Sequence, residues 1–260
     1  MTDQRDLEQA VAVVTGAAGG IGRAASVALA RAGASLLLVD IDGSRLDETA
    51  DAVAGTGAAV RTIVADVSRS EDVRSYVAAA VDAFGTIDVF FNNAGVEGVV
   101  SPIEEYPEEE FDRVMAINLK GVFLGMRYVL PVLLDRGSGS VINTASIAAL
   151  SGLPGTSAYN ASKHAIPGLT RTAAVEVGRR GVRVNAICPG VIDTRMTRSL
   201  AQSFSPENPD QWWSTVADRA PVGRFGTPEE IAAVVRFLAS PASSYVNGAL
   251  WVVDGGFIAG

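Results

Sequence analysis

Cysteine and histidine are nearly missing from this sequence: 260 residues hold one of each, Cys188 and His164. A single cysteine cannot close an intrachain disulfide, and the pair leaves no Cys/His cluster for a zinc site. No metal ligand set is expected, so any redox chemistry has to come from an organic cofactor. Also missing is an apolar run near the ~18 residues that would suggest a membrane span. Residues 1–6 are polar and acidic, without the apolar core of a signal peptide, and a cytoplasmic location is expected. Positive charge is short as well: 21 Lys and Arg stand against 29 Asp and Glu, a net charge of −8 at pH 7. With no dense basic run, neither nucleic acid nor an anionic membrane is expected as a partner.

What remains is 48% hydrophobic and 19% charged, ordinary for a globular enzyme. Short apolar runs alternate with longer helical patterns. Val11–Thr15 and Ser35–Asp40 read as buried strands around an Ala-rich helix over 21–32. Further strands are expected over 59–65, 87–92, Gly139–Thr144, 182–188 and Leu250–Val253. Near-continuous apolar strands separated by helices predict an α/β chain with a parallel sheet covered on both faces. Seven such units make a doubly wound, Rossmann-like sheet, and no linker divides residues 1–260 into more than one domain.

The exception is 194–224, where Pro206, Pro209 and Pro221 accompany Trp212 and Trp213 and periodicity is poor. Long connections inside compact domains are usually functional or mobile. This one follows a strand's carboxyl end, where ligands bind in such folds. A substrate lid is expected there, a packed surface excursion being the plainer alternative.

The turn after the first strand, Thr15-Gly16-Ala17-Ala18-Gly19-Gly20-Ile21-Gly22, opens the first helix. Glycines there permit a tight turn and close backbone approach, so free N–H groups and the helix dipole can face a pyrophosphate. Asp40 ends the second strand about 20 residues on, where a carboxylate can accept from ribose hydroxyls and repel a 2′-phosphate. Ile41 follows it, and no Arg lies in the turn. NAD is expected over NADP; a simple strand-end cap is the alternative role for Asp40.

Tyr159 and Lys163 lie four apart, one turn apart on one helix face. A phenol ionises near pH ~10, and a neighbouring ammonium lowers that value, making a usable general acid or base. Alone, the spacing also fits an ordinary solvated helix.

Taken in order, these motifs resemble the short-chain dehydrogenase/reductase family of the compact type, over nearly the whole chain. The glycine turn matches the family's Thr-Gly-x-x-x-Gly-x-Gly. Asp66-Val67 resembles the pair that meets adenine, with Asp40 and Ile41 on the ribose side. Asn92-Asn93-Ala94-Gly95 resembles the segment that supports the sheet and lines the ribose. Asn118 matches the helix asparagine, Ser146 precedes Tyr159 at the usual interval, and Tyr159-x-x-x-Lys163 is the best-known signature. Pro189-Gly190-Val191-Ile192-Asp193-Thr194 looks like the turn whose Ile and Thr hold the carboxamide.

The resemblance implies strand order 3-2-1-4-5-6-7 and a role for each residue. Tyr159 takes the alcohol proton as hydride passes to the nicotinamide. Lys163 lowers the phenol pKa and holds the ribose. Ser146 hydrogen-bonds the substrate oxygen, and Asn118 holds a relay water. It also implies a homotetramer, pairing helices over 112–134 and 157–179 across one axis and the C-terminal strand with Phe257 across another. There are two departures: Ala145 stands where many relatives carry a second serine, and Pro167 falls four residues after Lys163. Its ring crowds the Lys163 carbonyl, predicting a bend or opened turn there, or a small kink.

The expected substrate wall, Val96, Gly98, Ala148, Leu153, Val191 and Trp212, is uncharged. It favours a small neutral apolar secondary alcohol or ketone, with Arg195, Arg198 and Arg219 able to swing inward. His164 is expected at a helix surface and Cys188 in the core. A 3-oxoacyl-carrier-protein reductase is the second reading, which would call for NADPH and a basic docking patch. A non-catalytic NADH-sensing protein is a remote third.

Overall fold

The computed structural model describes residues 6–259. All seven strands are parallel, in the order β3-β2-β1-β4-β5-β6-β7. They are β1 (Val11–Thr15), β2 (Ser35–Asp40), β3 (Val60–Val64), β4 (Val89–Asn92), β5 (Gly139–Thr144), β6 (Val182–Pro189) and β7 (Leu250–Val253). The expected class and order hold. Three strands differ from the sequence expectation at their ends: β3 is shorter, β4 begins two residues later and β6 extends to Pro189. At the start of β4 the Asp88 carboxylate accepts from the Val11 amide at 2.8 Å and pairs with Arg136, a clasp at the sheet's lower edge.

The connecting helices are α1 (Gly20–Arg31), α2 (Gly43–Ala54), α3 (Ser70–Phe84), α4 (Glu108–Met115), α5 (Gly121–Arg136), α6 (Ser157–Val177), α7 (Arg195–Phe204), α8 (Pro209–Arg219) and α9 (Pro228–Ala239). Side chains alternate across a strand, and the core divides accordingly. Val13, Leu37 and Val39 pack on one face with Tyr76 of α3, Val129 of α5 and Ile166 of α6. Ala12, Val14, Leu36 and Leu38 pack on the other with Leu29 of α1, Leu46 of α2 and Val235 of α9. Covering both faces is what lets strands be apolar at every position. Each fully buried Leu, Val or Phe contributes about 1.5–3 kcal/mol.

Between α4 and α5 the chain makes a π-helical turn, Ala116–Lys120, so that one helix runs from Glu108 to Arg136. By length and composition alone that helix could cross a membrane. Its Val122, Met126, Val129 and Leu133 belong to the core instead. α6 runs unbroken through Pro167, so the opened turn is not seen. His164 is exposed, with Nδ1 at 2.9 Å from the Asn160 carbonyl oxygen, and Cys188 is fully buried.

Most of 194–224, where the sequence shows poor periodicity, is helical, as α7 and α8. The prolines mark ends rather than breaks. Pro209 is the first residue of α8, where its missing N–H costs nothing, while Pro206 and Pro221 lie outside the helices.

Candidate active site

The sheet's strand order reverses between β1 and β4, and a crevice opens there above the strand ends. On the β1 side, Gly16 has φ +65, and a Cβ on it would lie 2.8 Å from the Ala94 Cα; only glycine meets both demands. A Cβ on Gly22 would strike the Gly16 carbonyl oxygen. The turn is tied to its neighbours. Thr15 Oγ1 accepts from the Asn93 and Ala94 amides at 3.0 and 3.2 Å. Asn93 Nδ2 donates to the Thr15 and Gly16 carbonyls, and its Oδ1 accepts from Thr144. Three strand ends thus hold one another in place.

Asp40 both caps and faces the crevice. Oδ2 accepts from the Ala18 amide at 2.9 Å and Oδ1 from the Asp42 amide at 3.1 Å. The carboxylate is therefore anchored to the glycine turn. Asp66 Oδ1 accepts from both the amide and the hydroxyl of Ser68. Ile41 is 69% exposed beside them. Arg45 also lines this end, a cation one helical turn beyond Ile41 that inspection of the immediate neighbours of Asp40 missed.

The crevice is a cavity of about 1270 Å³. Every residue expected to bind cofactor lines it: Gly16, Gly19, Gly20, Ile21, Gly22, Asp40, Ile41, Asp66, Val67, Asn93, Ala94, Gly95, Pro189, Gly190, Ile192 and Thr194, with Tyr159 and Lys163. Ser146, Ala148, Leu153, Val191, Trp212 and Val96 line it too. Gly98 does not; it packs behind, where an added Cβ would meet the Tyr106 hydroxyl at 2.8 Å. Arg195 and Arg219 face the cavity, whereas Arg198 is held outside by Asp193 at 2.9 Å.

These residues fit a nicotinamide dinucleotide. α1 begins without a side-chain cap, leaving first-turn amides for phosphate oxygens. Thr194, the N-cap of α7, lies over Gly20, where a Cβ would meet its Cγ2 at 3.1 Å. The Pro-Gly turn and the glycine turn therefore face each other across one slot.

The reacting end is built from β5 and α6. Ser146 leaves β5 in extended backbone, and its Oγ accepts from the Ala148 amide at 3.1 Å, which leaves the hydroxyl proton to donate elsewhere. Lys163 is 4% exposed, and its Nζ donates to the Thr144 carbonyl at 2.8 Å, 5.7 Å from the Tyr159 ring centroid. Burial pushes the ammonium down to about 8, against a smaller opposing pull from Cys188. The Tyr159 phenol is raised above its ordinary value, chiefly by burial; a hydrogen bond from Ser146 lowers it and the Glu97 charge raises it. This corrects the expectation that Lys163 depresses the phenol. In the unliganded protein desolvation outweighs the Ser146 hydrogen bond, and one of the three ammonium N–H groups is engaged by the Thr144 carbonyl.

Asn118 sits behind the cavity wall rather than in it, wholly buried. The π turn presents its side chain to Val96: Oδ1 accepts from the Val96 amide and Nδ2 donates to the Val96 carbonyl, both at 2.8 Å, with Ser162 Oγ at 3.2 Å. Its side chain thereby fixes the wall at Val96. Gly95 is the contact between the two sets, since a Cβ there would meet Asn118 Oδ1 at 3.2 Å and Lys163 Nζ at 3.5 Å. Glu97 also faces the cavity; no motif marks it, and only its place two residues after Gly95 hinted at the position.

Comparison with known proteins agrees with this geometry. The family model described as "Enoyl-(Acyl carrier protein) reductase" matches residues 16–258. Levodione reductase of Leifsonia aquatica is 47% identical over 248 residues, covering 95% of this chain and 93% of that one. Cyclohexanol dehydrogenase of an Acinetobacter species is 37% identical over 247 residues, covering 95% and 94%. The crystal structure of levodione reductase superposes with a TM-score of 0.95 at 46% identity, covering 96% of this chain and 98% of its own. NAD+-bound xylitol dehydrogenase gives 0.94 at 34% identity, covering 96% and 99%.

Proposed function

The chain belongs to the short-chain dehydrogenase/reductase family, and from that premise we propose that it interconverts a neutral cyclic secondary alcohol and its ketone with NAD. The observation that carries this reading is Ser146, Tyr159 and Lys163 meeting at the point where the dinucleotide slot joins an apolar chamber. When bound, the nicotinamide supplies the hydride acceptor or donor. Tyr159 exchanges the proton at the substrate oxygen. Ser146, its hydroxyl oxygen oriented by the Ala148 amide, donates to that oxygen and steadies charge developing there. Lys163 keeps a positive charge beside the Tyr159 ring. Asn118 is a positioning residue, fixing Val96.

NAD is favoured because Asp40, pinned by two amides, cannot swing aside for a 2′-phosphate. Arg45 pulls the other way, but repulsion from a fixed carboxylate outweighs a screened, flexible guanidinium. A ring-shaped substrate suits the apolar wall and the similarity to cyclohexanol dehydrogenase. We read the described chain as one cytoplasmic catalytic domain with α7 and α8 as its lid. We also read it as a homotetramer; exposed Phe111, Phe123 and Val175 on α4, α5 and α6 support the helix-paired axis.

Reduction of a carrier-bound 3-oxoacyl group is the second reading, favoured by the description of the matching family model. A net charge of −8 speaks against docking an acidic carrier. The intact Ser146, Tyr159 and Lys163 set speaks against a purely NADH-sensing role. The test is nicotinamide absorbance with cyclohexanol, cyclohexanone and an acyl-carrier ketone, each with both cofactors. Turnover of the cyclic pair with NAD, at least about tenfold better than with NADP, is the expected outcome, tenfold being about 1.4 kcal/mol. Preference for NADP and the carrier substrate would replace this reading with the second.

A further inference from the structure

Four acidic side chains line the catalytic cavity: Asp40, Asp42, Asp66 and Glu97. Three of them are satisfied by the protein. Asp40 accepts from two amides, Asp42 from the Arg45 amide at 3.2 Å, and Asp66 from Ser68. Glu97 differs, because among the described residues it accepts no hydrogen bond and forms no ion pair. Arg113 feels its field but is already held by both carboxylate oxygens of Glu110 at 2.7 Å.

Nor is the position of Glu97 loose. The residue before it, Val96, is gripped at amide and carbonyl by Asn118, which fixes the backbone from which Glu97 projects. It lines the same cavity as Tyr159, and its charge raises the phenol. No protein group among the described residues donates to this half-buried carboxylate, so a substrate that displaces water from it has to donate in turn. Arg195 and Arg219 on the same cavity would repel a cationic one, which leaves a neutral hydroxyl.

Building on the dehydrogenase reading above, we propose that Glu97 selects substrates carrying a second ring hydroxyl, a cyclic diol in oxidation or a hydroxyketone in reduction. It does so by accepting a hydrogen bond from the hydroxyl that does not react. Charge-assisted bonds of this kind are stronger than neutral ones, and their directionality fixes which carbinol meets Tyr159.

The experiment compares kcat/KM for cyclohexanol, cyclohexane-1,2-diol and cyclohexane-1,4-diol with NAD in the wild type, Glu97→Gln and Glu97→Leu. NADH fluorescence titration and thermal melts check that each variant folds and binds cofactor. The wild type is expected to prefer one of the diols by about tenfold or more. Glu97→Leu should lose about that factor on the diol, mainly through KM, and gain severalfold on cyclohexanol, since a hydrocarbon no longer strips water from a charge. Glu97→Gln, whose amide oxygen still accepts, should fall between. A wild type that favours cyclohexanol over both diols, or a Glu97→Leu enzyme that loses equally on all three, overturns the assignment to Glu97 and leaves the dehydrogenase reading standing. Failure to oxidise any of the three while NADH binds overturns both.

Discussion

The floor of the cavity and the flap above it are built in opposite ways. In the floor, polar groups are buried and answered: Asn92 Nδ2 donates to the Val122 carbonyl and Asn143 Oδ1, and Asn143 Nδ2 donates to Thr170. Lys163, Asn118 and the Thr15–Asn93 ties continue the same network up to the reacting groups. The flap is thin. α8 buries no residue, and α7 buries only Thr197 and Ala201. It is held by rings, Phe204 stacked on Trp212 at 6.0 Å and Trp213 against Phe225 at 4.1 Å, and by the exposed Arg198–Asp193 pair. Surface pairs of that sort contribute about 0–1 kcal/mol. The reacting groups thus sit on the braced part, and the flap is the part that can be rebuilt.

The sharpest way to test that division is Tyr159→Phe, a floor change that keeps the ring and deletes the acid. Turnover should fall about 10³-fold while NADH titration is unaltered; comparable turnover would move the acid–base role elsewhere. Asn118→Leu comes next. It strands the Val96 amide and carbonyl, each unpaired group worth about 1–3 kcal/mol, so kcat should drop by about 10²-fold together with a lower melting temperature. A stable variant with altered KM alone would make Asn118 part of the flap's business. Trp212→Ala, in the flap, should raise KM up to about tenfold, or ~1.4 kcal/mol, and leave kcat and stability nearly as they were. NADH should also slow proteolytic cutting within 194–224, and equal cutting with and without it would remove the lid.

The smallest expected effect is thermodynamic. Lys163, ordinarily near 10.5, is pushed down to about 8 by burial. The unfolded chain then holds an extra proton across that interval, so this residue makes stability rise with pH from about 8 toward 10. Tyr159 and Cys188, both raised by burial, act in the opposite sense. Denaturation of wild type against Lys163→Met largely cancels their contribution. The wild type should gain on the variant over that window by at most on the order of 3 kcal/mol; a constant difference would mean that the ammonium is solvated after all.

Legibility followed the same division. Strands, the glycine turn, Asp40 at its strand end and the Tyr159–Lys163 spacing were readable from local pattern, whereas Ser146 entered through the family resemblance. The π turn at Asn118 was not readable, since Ala116–Lys120 carries no residue that forbids an α-turn; packing sets that register. α7 and α8 were obscured because α8, with no buried side, leaves no apolar period to find. The phenol's direction was missed because a four-residue spacing says nothing about how much water surrounds the pair, and burial decides it. Glu97 lies outside every motif, and its importance comes only from its neighbours being engaged elsewhere.

Cys188, fully enclosed in β6, turns the scarcity of sulfur into an experimental convenience. A thiol-reactive dye cannot reach that strand until it separates from its neighbours, and no other sulfhydryl competes for the label. The rate of dye uptake by the untouched enzyme is therefore a clock for opening of the central sheet, readable without engineering a single residue.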